Sequence, residues 1–574
     1  MNYLARIAIY IVSASALLLS TNADAARSGK ELLQYIPEQT PYVMAFTKPL
    51  PDHVMDKFEP AVDKTLAAYR RIMQYQMSEH MVELANKEGG AEEAEQLQIF
   101  MDEILGLMSI EGLRNAGMGR DALFAAYGDG LLPVFRIALS NSAQFEATIS
   151  RLEEKAAEKL PTATIRGETY RYLDLDKMRV VIATPKNDAV ITLVPIGFSE
   201  ERLAQTLGLS KPRKSLAKSK DLRNIRKEYG YTDHFVSFVD VERIAASFIG
   251  DPGGLNKEFL ALIEHDPSKF SEQCQAEFAS LAGITPRIVM GYREINKKFL
   301  ETGMVVELRD DIAAGLATLP AAVPGLGPDL GGLISFGMSL DPMALRSFYE
   351  SRLDAMEKEP FECEALAELQ GSTVKGREAL AQPLPPVVYS FRGFLANIIN
   401  LEGMDIATET PPESIDASIL FAIENAQDLV TMAAMMSPEV AALNLVPDGK
   451  AKLLDLPQLA AVAEQAFAAL SADGLSVSLG DGADENAEAM LTADVVKSKP
   501  FISMAFDAKR YYEFIAEASM QEDETEEGEK VPLAMRTAIR DVMVSSADMY
   551  ERMAINVHLT DRGVEINTHM TLAD

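Results

Sequence analysis

The feature that most constrains this chain is a passage from strand to helix that recurs along it. Five apolar runs rich in β-branched and aromatic residues each end at Asn or Asp, and an apolar residue follows four positions later. An Asx side chain accepts hydrogen bonds from the free amides of a first helical turn, and the following apolar residue begins the buried face. Each run therefore predicts one strand followed by one helix. The capping residues are Asn141, Asp240, Asp341, Asn425 and Asp507.

Alternating segments between these passages predict antiparallel hairpins. The clearest is the last, in which residues 555–559 and 564–570 flank the turn Asp561-Arg562-Gly563. Strands joined partly by helices and partly by hairpins indicate an α+β fold with repeated strand-to-helix units, rather than a doubly wound parallel sheet. The spacing of the passages also allows two pseudo-duplicated halves.

The length of 574 residues exceeds what a single hydrophobic core supports, so the chain should divide into several domains. Polar segments marked by proline at 210–215 and 409–414 are typical of domain boundaries. They predict three α+β domains, at 27–211, 212–408 and 409–574. The alternative is a single body built from the duplicated halves.

The first 26 residues have the pattern of a secretory signal peptide. Arg6 precedes an apolar stretch at 7–19, and Ala23-Asp24-Ala25 resembles a signal-peptidase site. No later apolar run approaches the roughly 18 residues that a membrane helix needs. We therefore expect a periplasmic protein without a membrane span after cleavage. An uncleaved tether in the inner membrane is the alternative.

The chain has two cysteines, Cys274 and Cys363, and each opens a similar helical stretch. In an oxidising compartment an even pair is more often a bridge than two reactive thiols, so we expect a disulfide between them. A redox dithiol would favour a close C-x-x-C pair, which this sequence does not have.

Charge is distributed unevenly along the chain. The formal net charge of -32 argues against general binding of nucleic acids. Residues 211–227 are the exception, with eight basic residues and one acid. Leu222, Ile225 and Tyr229 have helical spacing there, which predicts that Arg223, Arg226 and Lys227 lie on the outer side of a helix. We interpret them as a patch for an anion or an acidic partner. The alternative is a solvated linker helix balanced by acidic neighbours.

The other sequence patterns are weak indications of a metal or catalytic site. Met73, Met77 and Met81 recur at helical spacing and could bind Cu(I), as could Met432, Met435 and Met436, but methionine at this spacing more often fills a core. His558 and His569 share the polar face of the last hairpin and could approach diagonally. No metal or cofactor motif accompanies them. Ser215-Leu-Ala-Lys218 matches S-x-x-K without its companion motifs, and the acidic stretch 521–530 does not match a calcium loop.

Three segments resemble an uncharacterised family of exported proteins from Gram-negative bacteria. They are residues 36–43 (IPEQTPYV), 127–134 (YGDGLLPV) and 382–394 (QPLPPVVYSFRGF). The resemblance implies a periplasmic location and no established activity. We therefore expect a periplasmic binding or envelope-interaction protein that is not an enzyme, with an acidic envelope component or protein as partner. The alternatives are a hydrolase with a dispersed site and a methionine-dependent copper binder.

Overall fold

The computed structural model describes residues 29–86, 90–250, 255–403, 412–454, 463, 465–518, 520 and 532–573. The proposed signal peptide and the acidic stretch 521–530 lie outside these residues. The described chain forms two compact units, each a mixture of helices with an antiparallel sheet. The predicted α+β class is therefore confirmed. The division into three domains stays a prediction.

Unit 1 comprises the described residues within 29–270, 287–297 and 532–549. Its described strands pair in the order β9-β8-β1-β2-β3-β7-β6-β5-β4, and every pairing is antiparallel. They are β1 Tyr42–Phe46, β2 Phe124–Asp129, β3 Leu132–Ala138, β4 Thr162–Ile165, β5 Glu168–Leu175, β6 Met178–Ala183, β7 Asp188–Pro195, β8 Phe235–Asp240 and β9 Arg287–Ile295.

Helices cover the sheet of unit 1 and build its core. A cluster including Phe100, Phe145 and Ile191 joins α3 and α5 to β7. The helices are α1 Gly29–Leu32, α2 Asp52–Ala85, α3 Gly90–Leu107, α4 Ile110–Asn115, α5 Ser142–Lys155, α6 Glu200–Thr206, α7 Lys220–Tyr229, α8 Val241–Ile249, α9 Leu255–Leu262 and, from much later in the chain, α19 Leu533–Ala547.

Unit 2 comprises the described residues within 271–286, 298–520 and 550–573. Its strand order is β10-β19-β18-β17-β11-β12-β13-β16-β15-β14, again antiparallel throughout. The strands are β10 Phe299–Glu307, β11 Ile334–Ser339, β12 Phe391–Glu402, β13 Ser414–Ile423, β14 Ala451–Leu453, β15 Ala466–Leu470, β16 Gly474–Leu479, β17 Ile502–Asp507, β18 Tyr550–Thr560 and β19 Gly563–Leu572. The predicted terminal hairpin is thus confirmed as β18 and β19.

The helices of unit 2 include one that precedes most of the unit in the chain. This helix, α10, is fixed by the predicted Cys274–Cys363 disulfide, which is confirmed. The helices are α10 Glu272–Ala282, α11 Asp310–Leu316, α12 Pro342–Lys358, α13 Ala367–Ala381, α14 Pro386–Ser390, α15 Ala426–Met436, α16 Pro438–Ala442, α17 Ala483–Thr492 and α18 Ala508–Ala518. Throughout the described ranges, no helix is both long enough and apolar enough to cross a membrane.

Four of the five predicted Asx residues accept hydrogen bonds from the first turn of the following helix. Asn141, Asp240, Asp341 and Asp507 each accept from a backbone amide two or three residues later. Asn425 differs, because its backbone is left-handed at φ 54° and its side chain makes no capping bond. The expected strand-to-helix passage is present at Asn425, but the expected chemistry of its cap is not.

Candidate functional site

The basic segment, residues 211–227, lies against the beginning of the described chain in unit 1. The Glu38 amide donates to the Lys214 carbonyl over 3.1 Å, and the Leu216 amide donates to the Ile36 carbonyl over 2.9 Å. Helix α7 then begins after Ser219, whose hydroxyl accepts from the Asp221 amide, and ends at left-handed Gly230. The backbone that carries the basic side chains is therefore held at several points.

Apolar residues anchor the basic segment and direct its charges outward. Leu222, Ile225 and Tyr229 are buried along one side of α7, as their helical spacing predicts. Leu216 is buried just before the helix. An amphipathic helix with this stripe presents its remaining positions toward water.

The structure separates the three residues that the sequence places on the outer side of α7. Arg223 and Lys227 are exposed, but Arg226 is half-buried. The Arg226 guanidinium donates to the Thr47 hydroxyl over 3.0 Å, and burial lowers its pKa. The expectation that Arg226 faces outward is therefore wrong, because this position lies at the edge of the buried stripe and finds an acceptor on the chain after β1.

Seven cations of the basic segment are exposed. The one acid of the segment, Asp221, forms a 3.0 Å ion pair with Arg243, which lies outside the segment. Among the residues that the structure describes, none of the seven cations forms an ion pair with a carboxylate. Their positive charge is thus not neutralised by direct contact. The seven are Lys211, Arg213, Lys214, Lys218, Lys220, Arg223 and Lys227.

A second group of cations meets at one aromatic ring beside the basic segment, and we call it the Tyr35 cluster. The Arg136 guanidinium lies over the Tyr35 ring, 4.4 Å from its centroid. The ammonium groups of Lys186 and Lys211 lie 5.8 and 5.7 Å from the same centroid. Lys211 also donates a hydrogen bond to the Gln34 side chain. Three cations therefore surround one side chain.

Arg136 is the buried member of the Tyr35 cluster, with 1% of its surface exposed. Its Nη1 donates to the equally buried Asp188 over 2.9 Å, and its Nη2 donates to the Thr206 carbonyl. Its Nε has no acceptor among the described residues. A side chain at Gly208 would place its Cβ 2.5 Å from Nη2, so this position near Arg136 requires glycine.

A left-handed turn positions Lys186 and Asp188. Lys186 and Asn187 have φ values of 54° and 64°, the backbone of a tight turn between β6 and β7. The Asn187 side-chain oxygen accepts from the Ser142 hydroxyl over 2.7 Å, which fixes the turn. Non-glycine residues in this conformation store strain and concentrate at functional sites. No sequence pattern predicts Tyr35, Arg136, Lys186 or Asp188 as site residues, although the arginine within the apolar run 132–139 is a visible signal.

The two methionine groups differ in exposure, and so do the two residues of the S-x-x-K match. Met73, Met77 and Met81 pack against the core of unit 1, which favours the core interpretation for that stripe. Met435 and Met436 are instead more than four-fifths exposed. Ser215 is buried whereas Lys218 is exposed, and no hydrogen bond joins these two side chains.

The two histidines of the last hairpin are not diagonal neighbours. His558 lies opposite Glu565, and His569 lies opposite Ala554. Four residues therefore separate them along the ladder, roughly 14 Å at the usual rise per residue. In the described parts of the chain, no group of three or more His, Cys, Asp or Glu side chains is placed to hold a metal ion.

Comparison of the chain with protein-family models, curated proteins and solved structures finds no match. The resemblance to exported Gram-negative proteins therefore stays a prediction.

Proposed function

We propose that this protein is an exported, periplasmic binding protein that docks on anionic phospholipid headgroups through the basic segment. The observation that carries the proposal is the set of seven exposed cations that form no ion pair with any described residue, in a chain whose net charge is -32. Each Lys or Arg near an anionic membrane surface contributes about 1 kcal/mol to binding. Several such residues on one anchored segment would together give reversible attachment.

The form of the basic segment favours a charged surface as its partner. Its cations are spread over a loop and a helix face, which suits an array of phosphate groups. No large apolar side chain of the segment is exposed, so attachment would be electrostatic and weakened by salt. The acidic remainder of the chain is repelled by the same membrane. Attachment would therefore require the basic segment to face the headgroups.

Sedimentation with vesicles tests this docking. The probe is phosphatidylcholine with or without phosphatidylglycerol, and the variant carries Lys218→Glu, Lys220→Glu, Arg223→Glu and Lys227→Glu. We expect the wild type to bind the anionic vesicles at low salt and the variant to bind at least about 100-fold more weakly, given the contribution of each charge.

A control with the same change in net charge makes the test specific. Lys358→Glu, Lys375→Glu, Lys452→Glu and Lys497→Glu alter four exposed lysines of unit 2. This control should bind like the wild type. Equal loss in both variants would reduce the effect to net charge, and a wild type that ignores anionic vesicles would overturn the proposal. Binding to a purified acidic protein instead would identify the other class of partner.

The periplasmic location rests on the signal pattern at residues 1–26 and on the disulfide. Cell fractionation combined with thiol alkylation tests it. We expect shortened protein in the periplasmic fraction with neither thiol reactive until a reductant is added. Full-length protein in the cytoplasm with both thiols alkylated would contradict the location and the docking function together.

We infer that the two units are copies of one structural pattern. In unit 1, β1 pairs with β2 and β8, and β3 pairs with β2 and β7. In unit 2, β11 pairs with β12 and β17, and β13 pairs with β12 and β16. The corresponding strands follow one another in the same order along the chain. The positions of two helices support the inference, because α10 lies between β8 and β9 and α19 lies between the corresponding β17 and β18.

A further inference from the structure

We propose that the Tyr35 cluster binds a single phosphate monoester group between the ammonium groups of Lys186 and Lys211. The inference deepens the proposed function and rests on it, because Lys211 belongs to both the basic segment and the cluster. It adds a defined ligand group and residues outside the segment. Docking on headgroups needs an array of charges, whereas this site needs two particular lysines.

Electrostatics favours an anion at this place. Three cations within 6 Å of one ring centroid repel one another, and the face of one tyrosine offsets only part of that repulsion. Asp188 balances Arg136 inside the unit. Lys186 and Lys211 are both exposed, and each ammonium group lies within 6 Å of the same ring centroid. A ligand with two negative charges matches two ammonium groups.

The cluster is held in place before any ligand arrives. The turn that carries Lys186 is fixed by the bond between Asn187 and Ser142, and Lys211 is bonded to the residue next to Tyr35. Arg136 lies over the same ring and is itself held by Asp188 and by the Thr206 carbonyl. Preorganised donors lose less conformational freedom when they bind.

Phosphate is the anion that these donors suit best. Lysine is a compact point charge that binds phosphate oxygens, and ionised donor and acceptor pairs give the stronger hydrogen bonds. A monoester carries close to two negative charges at neutral pH. The group could arrive on a soluble ligand or at the end of a lipid headgroup, and both present the same oxygens to Lys186 and Lys211.

Calorimetric titration of the full chain with inorganic phosphate tests the site, and flotation with vesicles that contain phosphatidic acid provides the second arm. We expect the wild type to bind at least one probe. Lys186→Gln combined with Lys211→Gln should bind it at least about ten-fold more weakly, since two charge-assisted contacts are lost. Lys186→Arg with Lys211→Arg should retain binding. Thermal unfolding of all three proteins verifies that each is folded.

The outcomes separate the site from the docking surface. Binding of inorganic phosphate identifies a soluble ligand, and binding of phosphatidic acid vesicles alone identifies a lipid. The quadruple variant at 218, 220, 223 and 227 should still bind inorganic phosphate, because the cations at the Tyr35 ring are Arg136, Lys186 and Lys211. Equal binding by the wild type and the double Gln variant would overturn the phosphate site. The double Gln variant retains those four cations, so it should still dock on phosphatidylglycerol vesicles. Failure of the phosphate site would therefore leave the proposed docking function standing.

Discussion

At the residue scale, Arg136 and Asp188 form a buried ion pair within unit 1. Both side chains are almost fully buried, and their charged atoms lie 2.9 Å apart. Removing one partner of a buried pair leaves an uncompensated charge, which costs about 3–5 kcal/mol. We therefore expect Asp188→Ala to lower the free energy of unfolding by that amount, measured by urea denaturation.

A matched variant tests whether the cost comes from the unpaired charge. Combining Arg136→Met with Asp188→Ala removes both charges, so the double variant should be more stable than Asp188→Ala alone. If Asp188→Ala and the double variant unfold at the same urea concentration, the unpaired guanidinium is not the cause of the loss.

Arg223 and Arg226 provide a second comparison, within one helix. Arg226 donates to Thr47 in a half-buried position, and a hydrogen bond from a charged group contributes about 1.5–3 kcal/mol. Arg226→Ala should lower the free energy of unfolding by about that much, whereas Arg223→Ala should change it by less than about 0.5 kcal/mol. Chemical denaturation measures both. A similar effect for both would mean that Arg226 is as solvated as its neighbour.

At this scale, the sequence predicts which residues of a helix are buried together but not which distant residues they contact. The buried stripe of α7 is predicted by spacing alone, because Leu222, Ile225 and Tyr229 are neighbours on one helix face. The direction of Arg226 depends on Thr47, and the burial of Arg136 depends on Asp188 from another strand. Local periodicity contains no information about such distant partners.

At the element scale, Glu277 joins α10 to the segment before α13. Its carboxylate accepts hydrogen bonds from the amides of Glu362 and Cys363 over 2.9 and 3.0 Å. The bond from the Glu362 amide is the main cause that lowers the pKa of Glu277. A lowered pKa means that the ionised carboxylate stabilises the folded state more than the unfolded state.

The sign of the pH dependence follows from this direction. The stabilisation by Glu277 is complete above the pKa of the unfolded chain, near 4.3 for glutamate. It is lost as the pH falls through the lower pKa of the folded state. Urea midpoints across acidic pH should therefore fall less steeply for Glu277→Gln than for the wild type. Parallel curves would show that the amide contacts do not depend on the charge.

The strand-to-helix passages are the elements that sequence reasoning predicts best. A β-rich run, an Asx cap and a following apolar residue are all local, so strand, cap and helix agree at Asp341 and at three other positions. Asn425 fails as a cap because its own backbone adopts the left-handed conformation that asparagine tolerates. The same residue type serves both roles, and the spacing does not distinguish them.

At the scale of the whole molecule, the sequence does not predict which helices belong to which unit. Helix α10 follows most of unit 1 in the chain but belongs to unit 2, and α19 follows most of unit 2 but belongs to unit 1. Proline-marked breaks report local backbone preferences, whereas the choice of unit depends on contacts between residues far apart in sequence. The cysteines are the exception, since their pairing crosses 89 residues and was still predictable from their even number and the export that the sequence predicts.

The disulfide allows a comparison between α10, which it holds, and α19, which it does not. Cys274 lies in α10 and Cys363 lies before α13, so the bond fixes α10 within unit 2, while α19 contains no cysteine. A loop of this length corresponds to about 4 kcal/mol in the chain-entropy treatment. In Cys274→Ser combined with Cys363→Ser, amide hydrogen exchange should therefore accelerate at residues 272–282 and stay unchanged at residues 533–547. Equal acceleration in both helices would mean that the bond stabilises the chain as a whole rather than the placement of α10.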